Sequence, residues 1–196
     1  MKRWLAAAAL LLLTGCAATE DGTAERILQQ YENMKACSME AVVRCEYESE
    51  SREYTLRCTY DAEGVSEVTI LEPTGLQGIT VVREGEACRV IYKDLVLDAS
   101  ALGKGRLSPA DILPRAMDAV KRGWLLEENA EQENEDFLRR MVFETEENGA
   151  KQYWTVYFDE KTGVPRYAEV SEDYQLFFTM EFTKFSFDDI MMQGEH

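Results

Sequence analysis

The chain has 196 residues, with 37 Asp and Glu against 21 Lys and Arg, for a formal net charge of −16. A surface this acidic repels nucleic acid and gains nothing from anionic lipid headgroups, which excludes phosphate-backbone binding as a function class. At 45% hydrophobic and 10% aromatic residues, the chain still carries enough apolar side chain for a packed core, unlike disordered acidic segments.

Lys2 and Arg3 precede Trp4 and an apolar run of Leu and Ala from Leu5 to Leu13. That run is too short for the roughly 20 helical residues that cross ~30 Å of hydrocarbon. A short apolar stretch behind a basic start predicts a cleaved export signal. The run closes on Leu13-Thr14-Gly15-Cys16, which resembles the lipobox of bacterial lipoproteins. The resemblance implies cleavage before Cys16 and diacylglycerol on its thiol. The alternative is an ordinary signal peptide with an incidental cysteine. On the lipobox reading, residues 1–15 are the signal and 16–23 a lipidated polar tether. The mature chain is then held at the extracytoplasmic face of the cell membrane by its lipid, and a Gram-positive surface suits its acidity. Each buried CH₂ of such a lipid contributes ~0.8 kcal/mol, so two or three chains hold firmly. Loss of Lys2 and Arg3 takes the formal charge to −18.

Residues 24–190 then read as one α+β domain, with 191–196 as a C-terminal tail. Ile27, Leu28, Tyr31 and Met34 recur at helical spacing and predict a helix over Thr23 to Lys35. The period then changes to two. Met39, Ala41, Val43, Cys45 and Tyr47 alternate with mostly polar residues, as do Tyr54, Leu56, Cys58 and Tyr60, which predicts a hairpin with one buried face. A two-residue turn at Ser51-Arg52 places Cys45 opposite Cys58, Val43 opposite Tyr60 and Tyr47 opposite Leu56. Directly opposed Cβ atoms lie ~4.5–5.5 Å apart, near disulfide range. A Cys45–Cys58 disulfide and a pair of reduced, buried thiols both fit this register. The spacing of Cys37, Cys45, Cys58 and Cys88 matches no zinc site.

Further strands are predicted at Val65 to Leu71, ending at Glu72-Pro73, at Gly78 to Arg83, at Ala87 to Lys93 and over Leu95-Val96-Leu97. Ser108-Pro109-Ala110-Asp111 reads as a helix start, and Ile112, Leu113, Ala116, Met117 and Val120 form its apolar stripe, ended by Gly123. Pro114 is expected to kink this helix in its second turn. The acidic stretch Glu127 to Asp136 is expected to be a solvated loop, with a calcium site as the alternative. A second strand set follows at Phe137 to Glu144, Gln152 to Phe158, Val164 to Val170 and Gln175 to Phe187, with a turn at Asn148-Gly149 and a bulge before Phe185. These elements predict a curved antiparallel sheet, an open half-barrel, with helices packed on the concave side or at one end.

A lipobox, one helix, a strand meander ending in proline, a helical interruption and a second meander together resemble the LolA-like lipoproteins. The resemblance is carried locally by Asp159-Glu160-Lys161-Thr162-Gly163-Val164-Pro165 and by Glu72-Pro73-Thr74-Gly75-Leu76-Gln77-Gly78. It implies a half-barrel that receives a lipid or the acyl chains of another lipoprotein. One member of that superfamily, a clostridial germination lipoprotein, instead implies an interaction module that binds and regulates an envelope protein such as a cell-wall hydrolase.

The sole histidine is His196, the last residue, so Ser/His and Cys/His nucleophilic catalysis is not expected. No HExxH, Gly-rich phosphate loop or CxxC is present, and neither cofactor, metal nor enzymatic activity is expected. Two roles follow. In the first, a curved sheet that large side chains cannot close leaves a groove for a hydrophobic ligand, lined by Tyr47, Leu56, Tyr60, Ile70, Phe143, Tyr157, Phe178 and Met180. In the second, the same side chains fill the core and the chain docks a partner protein through an exposed apolar face or edge. The volume between sheet and helices separates the two.

Overall fold

The computed structural model describes residues 22–47, 50–85, 87–99, 107–133, 136–147, 149–172 and 175–188. The signal, Cys16 and most of the tether lie outside the described residues, as does the tail. The elements are α1 (Thr23–Asn33), β1 (Ala36–Tyr47), β2 (Glu50–Asp61), β3 (Val65–Glu72), β4 (Thr80–Glu84), β5 (Ala87–Tyr92) and β6 (Leu95–Asp98), then α2 (Ile112–Arg122), β7 (Trp124–Glu133), β8 (Asp136–Glu147), β9 (Ala150–Asp159), β10 (Pro165–Glu172) and β11 (Gln175–Asp188). A single turn of 3₁₀ helix over Thr74–Leu76 separates β3 from β4.

All eleven strands form one antiparallel sheet in the order β6-β5-β4-β3-β2-β1-β11-β10-β9-β8-β7. Each half is a meander, and the halves join where the first strand pairs with the last. The sheet does not close into a barrel, and both helices cover the same face. That is the open curved sheet the alternating sequence predicts.

Alternation dictates which side chains reach the helices. Met39, Ala41, Val43 and Cys45 on β1 are buried, while Arg44 and Glu46 between them are exposed. On β11, Phe178, Met180 and Phe182 face the same way. There the β1 register slips, because Glu40 pairs with Lys184 and Ala41 with Phe182, leaving Thr183 as the extra residue. This bulge, at the expected place, keeps Phe185 and Phe187 on the core side after the change of parity.

Four expectations are corrected. Cys45 pairs with Arg52, Val43 with Tyr54 and Tyr47 with Glu50, so Ser51 and Arg52 belong to the β1–β2 ladder and are not its turn. The register moves by an even number, so every side chain keeps its face. The acidic stretch read as a loop is mostly strand: Glu127 to Glu133 belong to β7, whose carboxylates meet arginines of β8, Glu128 with Arg139 at 3.1 Å and Glu127 with Arg140 at 3.2 Å. Helix α2 begins at Ile112, after a turn in which the Ser108 hydroxyl donates to Asp111 Oδ1 at 3.0 Å. Pro114 is therefore the third helical residue, in the first turn, where a backbone N–H would have no intrahelical acceptor and its absence costs nothing. Finally, α1 stops at Asn33, two residues short of the expected end.

The Asp159-to-Gly163 turn anchors α1. Gln30 Nε2 donates to the Thr162 carbonyl at 3.3 Å, the buried Tyr31 hydroxyl to the Gly163 carbonyl at 3.0 Å, and Arg26 to the Glu160 carbonyl. Gly163 sits at φ 71, left-handed backbone that favours glycine, and a Cβ there would strike the Gln30 side chain. Asp159 holds the turn together. Its Oδ1 accepts from the Thr162 hydroxyl at 2.7 Å, the Thr162 amide at 2.8 Å and the Lys161 amide at 3.1 Å.

Partial burial alone would raise the Asp159 pKa, but the bonds from Thr162, together with Arg166, outweigh it and hold the carboxyl below its usual range. A depressed folded-state value means that this carboxylate stabilises the fold above its unfolded pKa of ~3.9 and stops doing so as pH falls through the folded value. Asp159→Asn is expected to lower stability at pH 7 and to flatten the acid limb, read as urea midpoints between neutral pH and pH ~2.5. A variant with the same steep acid limb as the parent would refute this assignment.

Candidate functional site

The expected groove is full. Leu56 and Phe143 are 0% exposed, and Phe178 and Met180 are 1% exposed. Side chains that no water-sized sphere can touch border no space in which an acyl chain could lie. Tyr60 and Ile70 are also buried. Tyr157 is half-buried on the opposite sheet face, since Trp154, Val156 and Phe158 are the β9 residues that reach the core. Tyr47 ends β1, and its side chain lies outside the described residues. Six of the eight predicted lining residues are thus brought together as core, Met180 also bordering a trough on the other face of the sheet.

Helix α2 is the filling. It buries Ile112, Leu113, Ala116, Met117, Ala119 and Val120 against the strands, and each large apolar side chain moved out of water contributes about 1.5–3 kcal/mol. Polar contacts clamp it on every side. Near its start, Arg115 is almost wholly buried and pairs with Asp111 Oδ2 at 2.8 Å and with Glu147 of β8. Burial opposes charge on this guanidinium, but the two carboxylates more than compensate, and its pKa is raised. At mid-helix, the Tyr60 hydroxyl donates to Asp118 Oδ1 at 2.8 Å. Burial, and secondarily the Asp118 charge, push the Tyr60 pKa far up, which keeps that donor protonated. At the far end, Lys121 Nζ donates to the carbonyls of Glu32 at 2.6 Å and Met34 at 2.8 Å, closing the C-terminus of α1. Arg122 bonds the Ala62 carbonyl at 2.7 Å.

The cysteines follow the register. Cys45 faces Arg52 and Cys58 faces Met39, which separates the two cysteines by about 20 Å along the ladder. That separation lies beyond disulfide reach, so this register does not bring Cys45 and Cys58 together for the expected bridge. Cys37, Cys45 and Cys58 act as small apolar core residues, and burial pushes the Cys58 thiol well above its ordinary range.

With the concave face filled, the sheet edges are what the fold leaves open, and they differ. The β7 edge carries Glu127, Glu128, Glu131 and Glu133, side chains that discourage strand pairing. The β6 edge is Leu95-Val96-Leu97-Asp98, with Leu95 62%, Val96 60% and Leu97 59% exposed and Tyr92 of the neighbouring β5 also exposed. Sequence reading placed this strand correctly but did not single it out as an exposed apolar edge. The available signal was three successive apolar residues without alternation, which a strand with one buried face does not need.

No protein-family model matches the sequence, and no curated protein matches it. Solved structures do. An uncharacterized conserved protein from Thermus thermophilus superposes with a TM-score of 0.52 at 12% identity, over 85% of this chain and 88% of that one. A DUF1329 family protein from Desulfovibrio piger gives 0.51 at 14%, over 86% and 92%. A Vibrio parahaemolyticus domain assigned to outer membrane lipoprotein sorting gives 0.50 at 9%, over 87% and 95%. At these identities the likeness concerns the fold alone, an open antiparallel sheet with helices on one face.

Two measurements check this description. Met117→Ala is expected to cost ~2–5 kcal/mol in urea unfolding, the range for a large core side chain removed from a site with no slack; a loss under ~1 kcal/mol would mean the hollow is loosely filled. In the folded chain, a thiol reagent is expected to modify Cys88 and to reach Cys37, Cys45 and Cys58 only in denaturant. A Cys45–Cys58 crosslinked peptide in a non-reducing digest would contradict the register.

Proposed function

We propose that the mature chain is a lipid-anchored, extracytoplasmic lipoprotein that works by docking another envelope protein along the β6 edge. The carrying observation is the contrast between a filled interior and an apolar, uncovered edge strand at Leu95 to Leu97. An extended segment of the partner would add a twelfth strand, with backbone bonds giving affinity and the exposed Leu and Val side chains giving apolar contact. Burying what those three side chains now expose is worth about 3–5 kcal/mol. Association itself costs ~4–15 kcal/mol, so a stable complex needs further contacts beyond the edge. The net charge of −16 favours a partner with a basic surface.

Anchoring rests on the lipobox-like Leu13-Thr14-Gly15-Cys16 and is consistent with the described helices, none of which is long and apolar enough to cross a membrane. Cys16→Ala is expected to leave an unlipidated protein that no longer fractionates with membranes. Unchanged mass and fractionation would remove the anchor from this reading.

A second reading, a hydrophobic ligand held between sheet and helices, draws on the fold shared with a lipoprotein-sorting domain and on a core made almost wholly of apolar side chains. It requires α2 to leave its seat and break the Arg115, Tyr60 and Lys121 contacts.

The decisive comparison uses photo-crosslinking from position 96 in cells. One reproducible partner is expected, and Val96→Asp is expected to abolish its co-purification while the melting temperature stays within a few degrees. Co-purification that survives Val96→Asp would sink the docking proposal. Uptake of a lipid-like fluorophore by the folded chain would select the second reading.

A further inference from the structure

The sheet face turned away from the helices holds a trough of about 580 Å³. It runs from Val42 and Arg44 on β1, across β11, β10, β9 and β8, to Glu131–Glu133 on β7. Five strand spacings of ~4.8 Å make that about 24 Å along the sheet. Its floor is apolar and aromatic, formed by Val42, Leu138, Tyr157 and Tyr167. Tyr157 of β9 and Tyr167 of β10 face each other across the ladder on the outward face and are not needed for the core, which Trp154, Val156 and Phe158 already supply from β9.

Charge around this floor has one sign in excess. Glu131, Glu133, Glu169 and Glu181 line the trough, against Arg44, which pairs with Glu53 at 2.7 Å and also feels the Glu181 charge. Glu131 reaches Arg140 only at 4.0 Å, and Glu133, Glu169 and Glu181 make no ion pair among the described residues. Elsewhere on the same face acids are neutralised: Glu40 meets both Arg57 and Lys184 at 2.8 Å, and Glu144 meets Lys151 at 2.8 Å. The trough is therefore where unbalanced negative charge surrounds exposed tyrosine.

We propose that this trough binds an extended basic peptide segment of a partner protein. Its Lys or Arg side chains meet Glu133, Glu169 and Glu181, and its apolar side chains lie on Tyr157 and Tyr167. Length selects a peptide over a compact amine, because an extended chain of about seven residues spans 24 Å. The tyrosine faces add cation–π attraction to the carboxylates. The surface is separate from the β6 edge, and the inference stands without the docking proposal.

The test uses the full-length chain in detergent and a fluorescein-labelled peptide of alternating Lys and Leu, followed by anisotropy, with an alternating Glu and Leu peptide as comparison. Saturable binding of the basic peptide alone is expected, with Glu169→Gln plus Glu181→Gln weakening it about 5- to 10-fold, as loss of two exposed charge pairs implies. The charge-matched pair Glu25→Gln plus Glu63→Gln, on exposed positions far from the trough, is expected to change it less than about twofold by the same reasoning. Tyr167→Ala is expected to weaken it at constant charge. Equal weakening by both charge pairs would mean diffuse attraction to an acidic protein and would overturn the site, as would equal binding of the acidic peptide or no binding at all.

Discussion

An eleven-stranded sheet that never closes leaves one apolar face to be covered, and two short helices do the covering. Everything else depends on that fit. Helix α2 presents Leu113, Met117 and Val120 to Leu56, Phe143 and Phe178 so closely that none of these keeps more than a trace of accessible surface. Polar groups then fix the helix without adding buried charge that lacks a partner: Arg115 is balanced by Asp111 and Glu147, and Lys121 by carbonyls at the end of α1. Helix α1 is secured in addition by the turn that ends β9, while Lys121 ties the two helices to each other.

A fold suited to holding something greasy has here been closed by its own side chains. Sheet curvature alone does not decide between a container and a solid body; the bulk of the covering helix does. With the interior packed, the rim and the back of the sheet are where apolar side chains stay exposed. Those two regions are unlike each other. The β6 rim is small and apolar, while the back is broad, ion-paired over much of its area and acidic where the pairing lapses. The two proposed surfaces differ in recognition chemistry, and the −16 charge biases both against nucleic acid.

Much of this architecture was legible in the residues. Apolar patterning located ten of the strands, most by period-two alternation, and the change of parity between Phe182 and Phe185 located the bulge in β11. What was lost had physical causes. Strand β7 was hidden because an edge strand with carboxylates on both faces has no hydrophobic alternation, and its partners, Arg139 and Arg140, lie in the next element. The β1–β2 register was misplaced because even shifts of an alternating pattern are nearly degenerate: Leu56 meets an apolar residue whether its partner is Ala41 or Tyr47. The groove residues were recognised as neighbours, but filled and empty spaces have the same sequence pattern, since both need apolar walls. Pro114 was misjudged by one turn, because the start of α2 depends on a Ser108–Asp111 contact that propensity does not register.

The marriage of β1 to β11 has a bearing on when the chain can fold. Ala36 pairs with Asp188 and Cys45 with Phe178, so the central ladder unites residues more than 130 positions apart, and neither half has its full set of neighbours until the final strand is available. Long-range pairings of this kind are slow to form. A polypeptide threaded across a membrane from its front end would consequently stay pliable throughout passage, and would set into its final shape only after almost all of it had arrived on the far side.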